Sequence, residues 1–338
     1  MSAKRRVFRL FACCVPVRGA RRSTLCDLQR ERYELIPNGL YEILHRYTDH
    51  TLDEVKADFP ATAHATLDQY FDFLVKQEYG FWCDDPEAFP PLDLSWERPE
   101  RVTNALVDVD ERSTHDWASL LTQLDELGCQ SIQVRFFRPA PVDELDAVLG
   151  LMAHGRLRSV ELLIPHDPAW EERTLEDLCV RHQRVMAVTV HSAPETKVDR
   201  ISGLETVIFH RADRVDSHAH CGVVGPEWFM PSLEAFTESR SFNSCLNRKL
   251  SVDAAGEIRN CPSLPRSFGN AAATPLRAAV DDPAFRELWG ITKDQVETCR
   301  DCEFRFVCTD CRAFVRDPGD RLSKPAKCSY DPYTARWN

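Results

Sequence analysis

Four cysteines fall within the thirteen residues CRDCEFRFVCTDC, Cys299–Cys311, and no other stretch restricts the fold of this chain so tightly. Thiols held so close in sequence are either tied to one another or bind something. The 338 residues contain fourteen cysteines, and eight lie beyond residue 220: Cys221, Cys245, Cys261, Cys299, Cys302, Cys308, Cys311 and Cys328. The other six, Cys13, Cys14, Cys26, Cys83, Cys129 and Cys179, are scattered among apolar neighbours and read as small buried hydrophobes. The stretch VFRLFACCVPV is broken by Arg9 and lacks a convincing cleavage region. No apolar run approaches the roughly 18 residues of a membrane span, so the expectation is a soluble, cytoplasmic protein with no membrane partner. In that reducing compartment clustered thiolates point to metal rather than to disulfides.

Spacing narrows the metal. Zinc ribbons commonly separate two CxxC knuckles by roughly 12 to 20 residues, whereas only EFRFV lies between Cys302 and Cys308. Short clusters that share a member with a distant site are the pattern of two-cluster ferredoxins, and eight thiols make two sets of four. The spacing therefore favours two [4Fe-4S] clusters, with zinc as the alternative.

The rest of the chain is ordinary globular protein, 43% hydrophobic and 28% charged. Its 42 basic and 53 acidic residues leave a net charge of −11, which disfavours nucleic acid as a partner. The fold class expected is α/β in three parts. Residues 1–84 read as a winged-helix-like module: RVFRLFACCVPV, STLCDL and RYELIP are extended, and three helices follow. Pro37 and Asn38 open the first of these, Thr51 with Glu54 caps the second, and Leu67, Tyr70, Phe71, Leu74 and Val75 recur at helical spacing in the third. YGFWC is extended again. The proline-rich residues 85–100 form a linker. Residues 101–220 show βα repetition with a period of about 27 residues, extended segments starting near Asn104, Ser131, Ser159, Val185 and Thr206. Five strands are too few for a closed barrel, so a degenerate, partial (βα) barrel is expected. Residues 221–338 form the cysteine-rich end, where SVDAAGEIRNC reads as a hairpin bending at Gly256 and returning Cys261 towards Cys245.

Cys245, the DAAGEIRNC hairpin, Cys299, Cys302, Cys308, Cys311 and Cys328 together resemble the SPASM domain, the C-terminal extension of radical SAM peptide maturases that carries auxiliary [4Fe-4S] clusters. One departure is that Cys308 and Cys311 are CxxC where the family usually has CxxxC. The resemblance implies one cluster on Cys299, Cys302, Cys308 and Cys328. It implies a second on Cys245, Cys261 and Cys311, with Cys221 of HAHCG as the fourth ligand. The radical SAM motif CxxxCxxC is absent: the loop after the first barrel strand reads VDVDERSTHDW, with Asp108, Asp110, Glu111, His115 and Asp116 but no cysteine. No S-adenosylmethionine is expected as cofactor.

The matches LFACCVPVRGARRSTLCDLQRERYELIPNGLYEIL, HCG, NSCLNRKLSVDAAGEIRNCPS, FGN and CRDCEFRFVCTDCR span both ends of the chain. With them the chain resembles the SPASM maturases of grasp-with-spasm systems, which implies two partners: a ribosomally made precursor peptide and an ATP-grasp ligase. Its N-terminal module resembles the PqqD-like leader-recognition fold, which implies that a peptide strand adds at Arg32, Tyr33, Leu35 and Ile36 against Tyr70 and Phe71. An iron-sulfur accessory maturase is the first expectation. A redox enzyme working on the peptide through its clusters, and a zinc-stabilised peptide-binding module, are the alternatives. His115, His166, His191 and His210 fall near the C-terminal ends of expected strands, where barrels build sites, but each alone reads as a loop histidine.

Overall fold

The computed structural model describes residues 5–170 and 173–338. In chain order β1 (Val7–Leu10), β2 (Cys14–Arg18), β3 (Ser23–Asp27) and β4 (Arg32–Ile36) precede α1 (Asn38–Arg46), α2 (Leu52–Ala57), α3 (His64–Lys76) and β5 (Gly80–Cys83). There follow β6 (Asn104–Val109), α4 (Trp117–Glu126), β7 (Ser131–Phe136), α5 (Val142–Leu151), β8 (Ser159–Pro165), α6 (Thr174–Arg181), β9 (Val185–His191), β10 (Lys197–Arg200) and β11 (Val207–His210). The last elements are α7 (Leu233–Ser241), β12 (Lys249–Val252), β13 (Ile258–Arg259), α8 (Leu276–Asp281), β14 (Tyr330–Asp331) and β15 (Arg336–Trp337). Among the described residues no helix is long and apolar enough to cross a membrane.

These elements form two compact units. One comprises the chain up to Trp96 together with Val223–Ser244 and Ile291–Asn338; the other comprises Glu97–Gly222 and Cys245–Gly290. The chain passes from the second unit to the first at Gly222/Val223, beside the expected boundary at residue 221, but the residues beyond it do not form a unit of their own. The cysteine-rich end contributes to both.

In the first unit the segment expected as a single strand, RVFRLFACCVPV, is two. A turn closed by Cys14 N–H donating to Phe11 O (2.8 Å) breaks it. Its first half, β1, pairs antiparallel with β5, while β2, β3 and β4 form an antiparallel meander with β4 at one edge. The turn has no glycine or proline to announce it. Successive residues of a strand face opposite ways, and β3 is buried on both faces for that reason: Leu25 joins the cluster of Leu40, Ile43, Leu67, Phe71 and Leu74 beneath the helices. Cys26 instead joins Phe236, Phe304, Phe306 and Tyr330. The same face is anchored by polar contacts. Thr24 Oγ1 donates to Glu303 O (2.8 Å), and the wholly buried Glu303 carboxylate receives Arg22 Nε (2.7 Å) and Tyr330 OH (2.5 Å). The cysteine-rich loop around residue 303 thus packs on the N-terminal sheet as part of one unit.

The second unit is an open eight-stranded sheet in the order β10-β11-β9-β8-β7-β6-β12-β13, parallel from β11 through β12 and antiparallel only at its two edges. The βα period is realised at Asn104, Ser131, Ser159 and Val185 as expected. α4 turns Leu120, Leu121 and Leu124 into the core, where they meet Val134, Phe136, Leu162 and Val188 of the sheet. The five expected strands become eight. β10 folds back on β11, and the cysteine hairpin β12–β13 docks beside β6, Lys249 opposite Asn104 and Val252 opposite Val107. The hairpin itself is legible in the sequence, whereas the four-residue β10 and the docking of β12 beside β6 are not. Gly256 occupies the hairpin bend at φ +85°, the left-handed region that glycine adopts without a Cβ penalty.

The capping box expected at α2 is present: Thr51 Oγ1 accepts from Glu54 N–H (3.2 Å), and Glu54 Oε2 accepts from Thr51 N–H (2.8 Å) and Arg5 Nη2 (3.0 Å). The hydrogen bond from Arg5, then that from the Thr51 backbone, lower the Glu54 carboxyl from 4.5 to about 2. A carboxylate depressed in the folded state stabilises it above its unfolded pKa, and that contribution disappears as pH falls through the folded value. The wild type should therefore be more stable than Glu54→Gln at pH 6, and the gap should close between pH 4.5 and about 2. Parallel urea titrations of both proteins across this range check it.

Candidate metal centres

Three of the eight thiols, Cys221, Cys245 and Cys261, belong to the second unit. The parallel register of β6 and β7 sets Asp108 beside Arg135 near the C-terminal ends of both strands. Their side chains form a buried two-pronged ion pair, Nε to Oδ1 at 2.7 Å and Nη2 to Oδ2 at 2.9 Å. The remaining prong of Arg135, Nη1, donates to Cys221 Sγ at 3.5 Å. Burial pushes the Asp108 carboxyl above its usual range even though Arg135 opposes the shift. On β12, Lys249 Nζ donates to Cys245 Sγ at 3.4 Å. Burial pushes the Cys261 thiol up to about 12, and the neighbouring Cys245 adds to the shift while Lys249 opposes it. The three thiols and two cations therefore occupy one neighbourhood, as the hairpin reading required for Cys245 and Cys261. Asn260 secures it: its buried amide donates to Leu246 O (2.9 Å) and Lys249 O (2.7 Å), holding the Cys245–Lys249 turn against the hairpin.

The other five thiols belong to the first unit. Four of them, Cys299, Cys302, Cys308 and Cys328, line one small pocket of about 30 Å³, walled by Val224, Phe229, Phe304, Pro325 and Trp337. Turn hydrogen bonds aim the thiols: Cys302 N–H to Cys299 O (3.0 Å), Cys308 N–H to Phe304 O (2.9 Å) and Cys328 N–H to Pro325 O (3.2 Å). Burial pushes Cys299 up to about 12 and Cys308 to about 11, with Lys293, which also lines the cavity and donates to Cys308 O, opposing both. Cys302 is raised by burial as well. Cys311 is buried and is not among the cavity's lining residues. Its chain neighbours Asp310 and Arg312 form a buried ion pair (2.6 Å), and Asn243 Nδ2 donates to Asp310 Oδ2 (2.8 Å).

Such thiols resist ionising alone, because a thiolate loses its hydration on burial. A bound cation removes the obstacle by supplying the missing charge. Among the described residues, the sole set of three or more possible ligand atoms within 4.8 Å of one another is Cys13, Cys14 and Asp27. The eight thiols beyond residue 220 are not part of that set. The Asp27 carboxylate is already engaged by Arg30 Nη1 (3.1 Å) and Arg32 Nε (3.4 Å). Cys14, Cys26, Cys83, Cys129 and Cys179 are buried and Cys13 half-buried, as scattered structural cysteines should be.

The residues expected to contact peptide separate. Arg32 and Leu35 are exposed on the edge strand β4, and Tyr70 is half-buried. Ile36 and Phe71, 2% and 4% exposed, lie in the core of the module and present no surface to a peptide. Tyr33 packs on Phe304 (5.5 Å) and Phe229 (6.0 Å). His166, His191 and His210 stand at strand ends as expected and His115 lies in the β6–α4 loop, their rings in different contacts: His115 bonds Asp108 O (2.8 Å), His191 Ser192 Oγ (3.1 Å) and His210 Asp199 Oδ2 (3.1 Å), while the backbone N–H of His166 donates to His191 O (2.8 Å). Asp116 caps α4 through Ser119 N–H (3.0 Å), and Asp110 pairs with Arg112.

Sequence reasoning missed Arg135, Lys249, Lys293 and Asn260, and recorded Asp108 only as a loop acid. A signal existed for two of them: NALVDV and SIQVRF each carry one charge next to the last residue of an otherwise mostly apolar strand. No protein-family model matches the chain, and no curated protein matches it.

The thiol environments predict an order of alkylation in the folded, metal-free chain, since the thiolate is the reactive form and must be reached. The exposed Cys221 should react with iodoacetamide at pH 8 well before Cys26 and Cys129, which burial holds near 12. Peptide mapping by mass spectrometry reads it; labelling of Cys26 and Cys129 should require denaturant.

Proposed function

We propose that this chain is a SPASM-type iron-sulfur protein that serves as an accessory maturase for a ribosomally made peptide, acting with an ATP-grasp ligase and without radical SAM chemistry. The observation that carries the proposal is the pocket at which Cys299, Cys302, Cys308 and the distant Cys328 converge. Four converging thiols match the ligand count of a cubane cluster, in which each thiolate binds a different iron. Cys221, Cys245 and Cys261 would supply ligands for a second cluster. Clusters bound at these thiols would supply one-electron transfer; the chain's own residues exclude water, orient the thiols and balance their charge.

Peptide capture rests on β4, the edge of a three-stranded sheet, whose outer backbone groups are placed to pair with an added strand. Arg32, Glu34 and Leu35 are the exposed side chains of that strand. The loop after β6, where radical SAM enzymes place three cysteines, holds instead Asp110 with Arg112 and the Asp116 cap. This supports an accessory role in place of reductive cleavage of S-adenosylmethionine.

Anaerobically purified protein should be brown and carry about eight iron and eight sulfide per chain. Cys302→Ala or Cys308→Ala should lower iron by about half and leave the other cluster's spectrum, because each serves a single four-ligand site. Stoichiometric zinc with no iron would overturn the cluster assignment. For the maturation role, the ligase and a candidate precursor are co-expressed with and without this protein; a peptide mass change that does not depend on its presence rejects the role.

A further inference from the structure

Each thiol set is accompanied by one lysine whose charge faces it. In the second unit Lys249 Nζ donates to Cys245 Sγ at 3.4 Å, and in the first unit Lys293, 3% exposed, lines the four-thiol cavity and donates to the carbonyl of Cys308. Arg135 also reaches Cys221, but its charge is matched by Asp108, so Lys249 is the unmatched cation of that set. A lysine side chain loses hydration and rotamer freedom on burial, and a backbone carbonyl and a thiol are weak compensation for both. An anionic occupant accounts for the placement of both. Four thiolates around an oxidised [4Fe-4S] core leave net negative charge, and reduction adds one more electron to it.

We propose that Lys249 and Lys293 are the potential-setting residues of two separately tuned centres, each lysine stabilising the reduced state of its own thiol set. The proposal rests on the iron-sulfur reading above. A nearby cation favours the more negative state, so removing the charge should lower the midpoint of one centre and spare the other. Arg135, neutralised by Asp108, contributes a hydrogen bond to Cys221 more than a charge.

The test uses the full-length protein, reconstituted anaerobically and titrated with dithionite, one electron per centre, under electron paramagnetic resonance. Wild type, Lys249→Met, Lys293→Met, Lys249→Arg and Lys293→Arg are compared, with iron and sulfide measured on each. Expected are at least a tenfold fall in the reduction equilibrium constant of one centre in Lys249→Met and of the other in Lys293→Met, about 59 mV for a one-electron couple. Both arginine variants should stay near wild type. If a methionine variant loses its cluster while the matching arginine variant keeps it, charge balance is needed even for retention, which also supports the proposal. Loss in both variants of a pair assigns that lysine a packing role and overturns it. Full iron with unmoved midpoints in both methionine variants, or equal movement of both centres in each, overturns it too. Wild-type protein that binds no iron defeats the iron-sulfur reading itself, and this inference with it.

Discussion

Parallel pairing of β12 with β6 is the contact on which the second unit's thiol group depends. It fixes the hairpin in register at the sheet edge, so that Cys245 before β12 and Cys261 after β13 are placed relative to the strand ends carrying Asp108 and Arg135. A slip of one residue would turn every hairpin side chain to the opposite face. Leu250 and Val252, fully buried, tie that register to the hydrophobic core, and Asn260 ties the preceding turn to the hairpin. Local sequence makes the hairpin; the sheet decides where its cysteines point.

The first unit solves the same problem with a buried carboxylate. Glu303 stands between Cys302 and Phe304 and is held by Arg22, from the β2–β3 turn, and by Tyr330. Breaking a buried ion pair leaves an uncompensated charge, at a cost of roughly 3 to 5 kcal/mol when both partners are dry, and less here because Arg22 is partly exposed. The turn carries Gly19 because a Cβ there would come within 2.8 Å of Glu303. The thiol loop and the N-terminal sheet therefore order together. Tyr33 belongs to this contact, which is why a residue of the edge strand faces Phe304 and not solvent.

Electrostatics gives both thiol groups a common character. Burial raises the thiols, opposed by Lys249 in one set and Lys293 in the other. Protonated thiols would leave each lysine facing only weak partners. Thiolates bound to a cation would answer both demands, since the ligands ionise as they bind and the lysine then faces negative charge. The same low dielectric that penalises an isolated thiolate strengthens its attraction to a fixed ammonium.

Much of this was legible in the sequence where the signal is local. The βα period, the face of α4, the Thr51–Glu54 capping box and the bend at Gly256 each depend on residues within a few positions of one another. The sequence likewise separates the eight cysteines beyond residue 220 from the six scattered before it. The tertiary structure alone decided how the eight are divided, Cys221, Cys245 and Cys261 in one unit and the remaining five in the other, and that β12 and β13 extend the sheet. It alone decided that Ile36 and Phe71 face inward and that Lys249 and Lys293 stand beside thiols. The reason is that pairing between distant strands, and the desolvation of a charge, depend on what covers a residue in space, which no neighbour in the chain records.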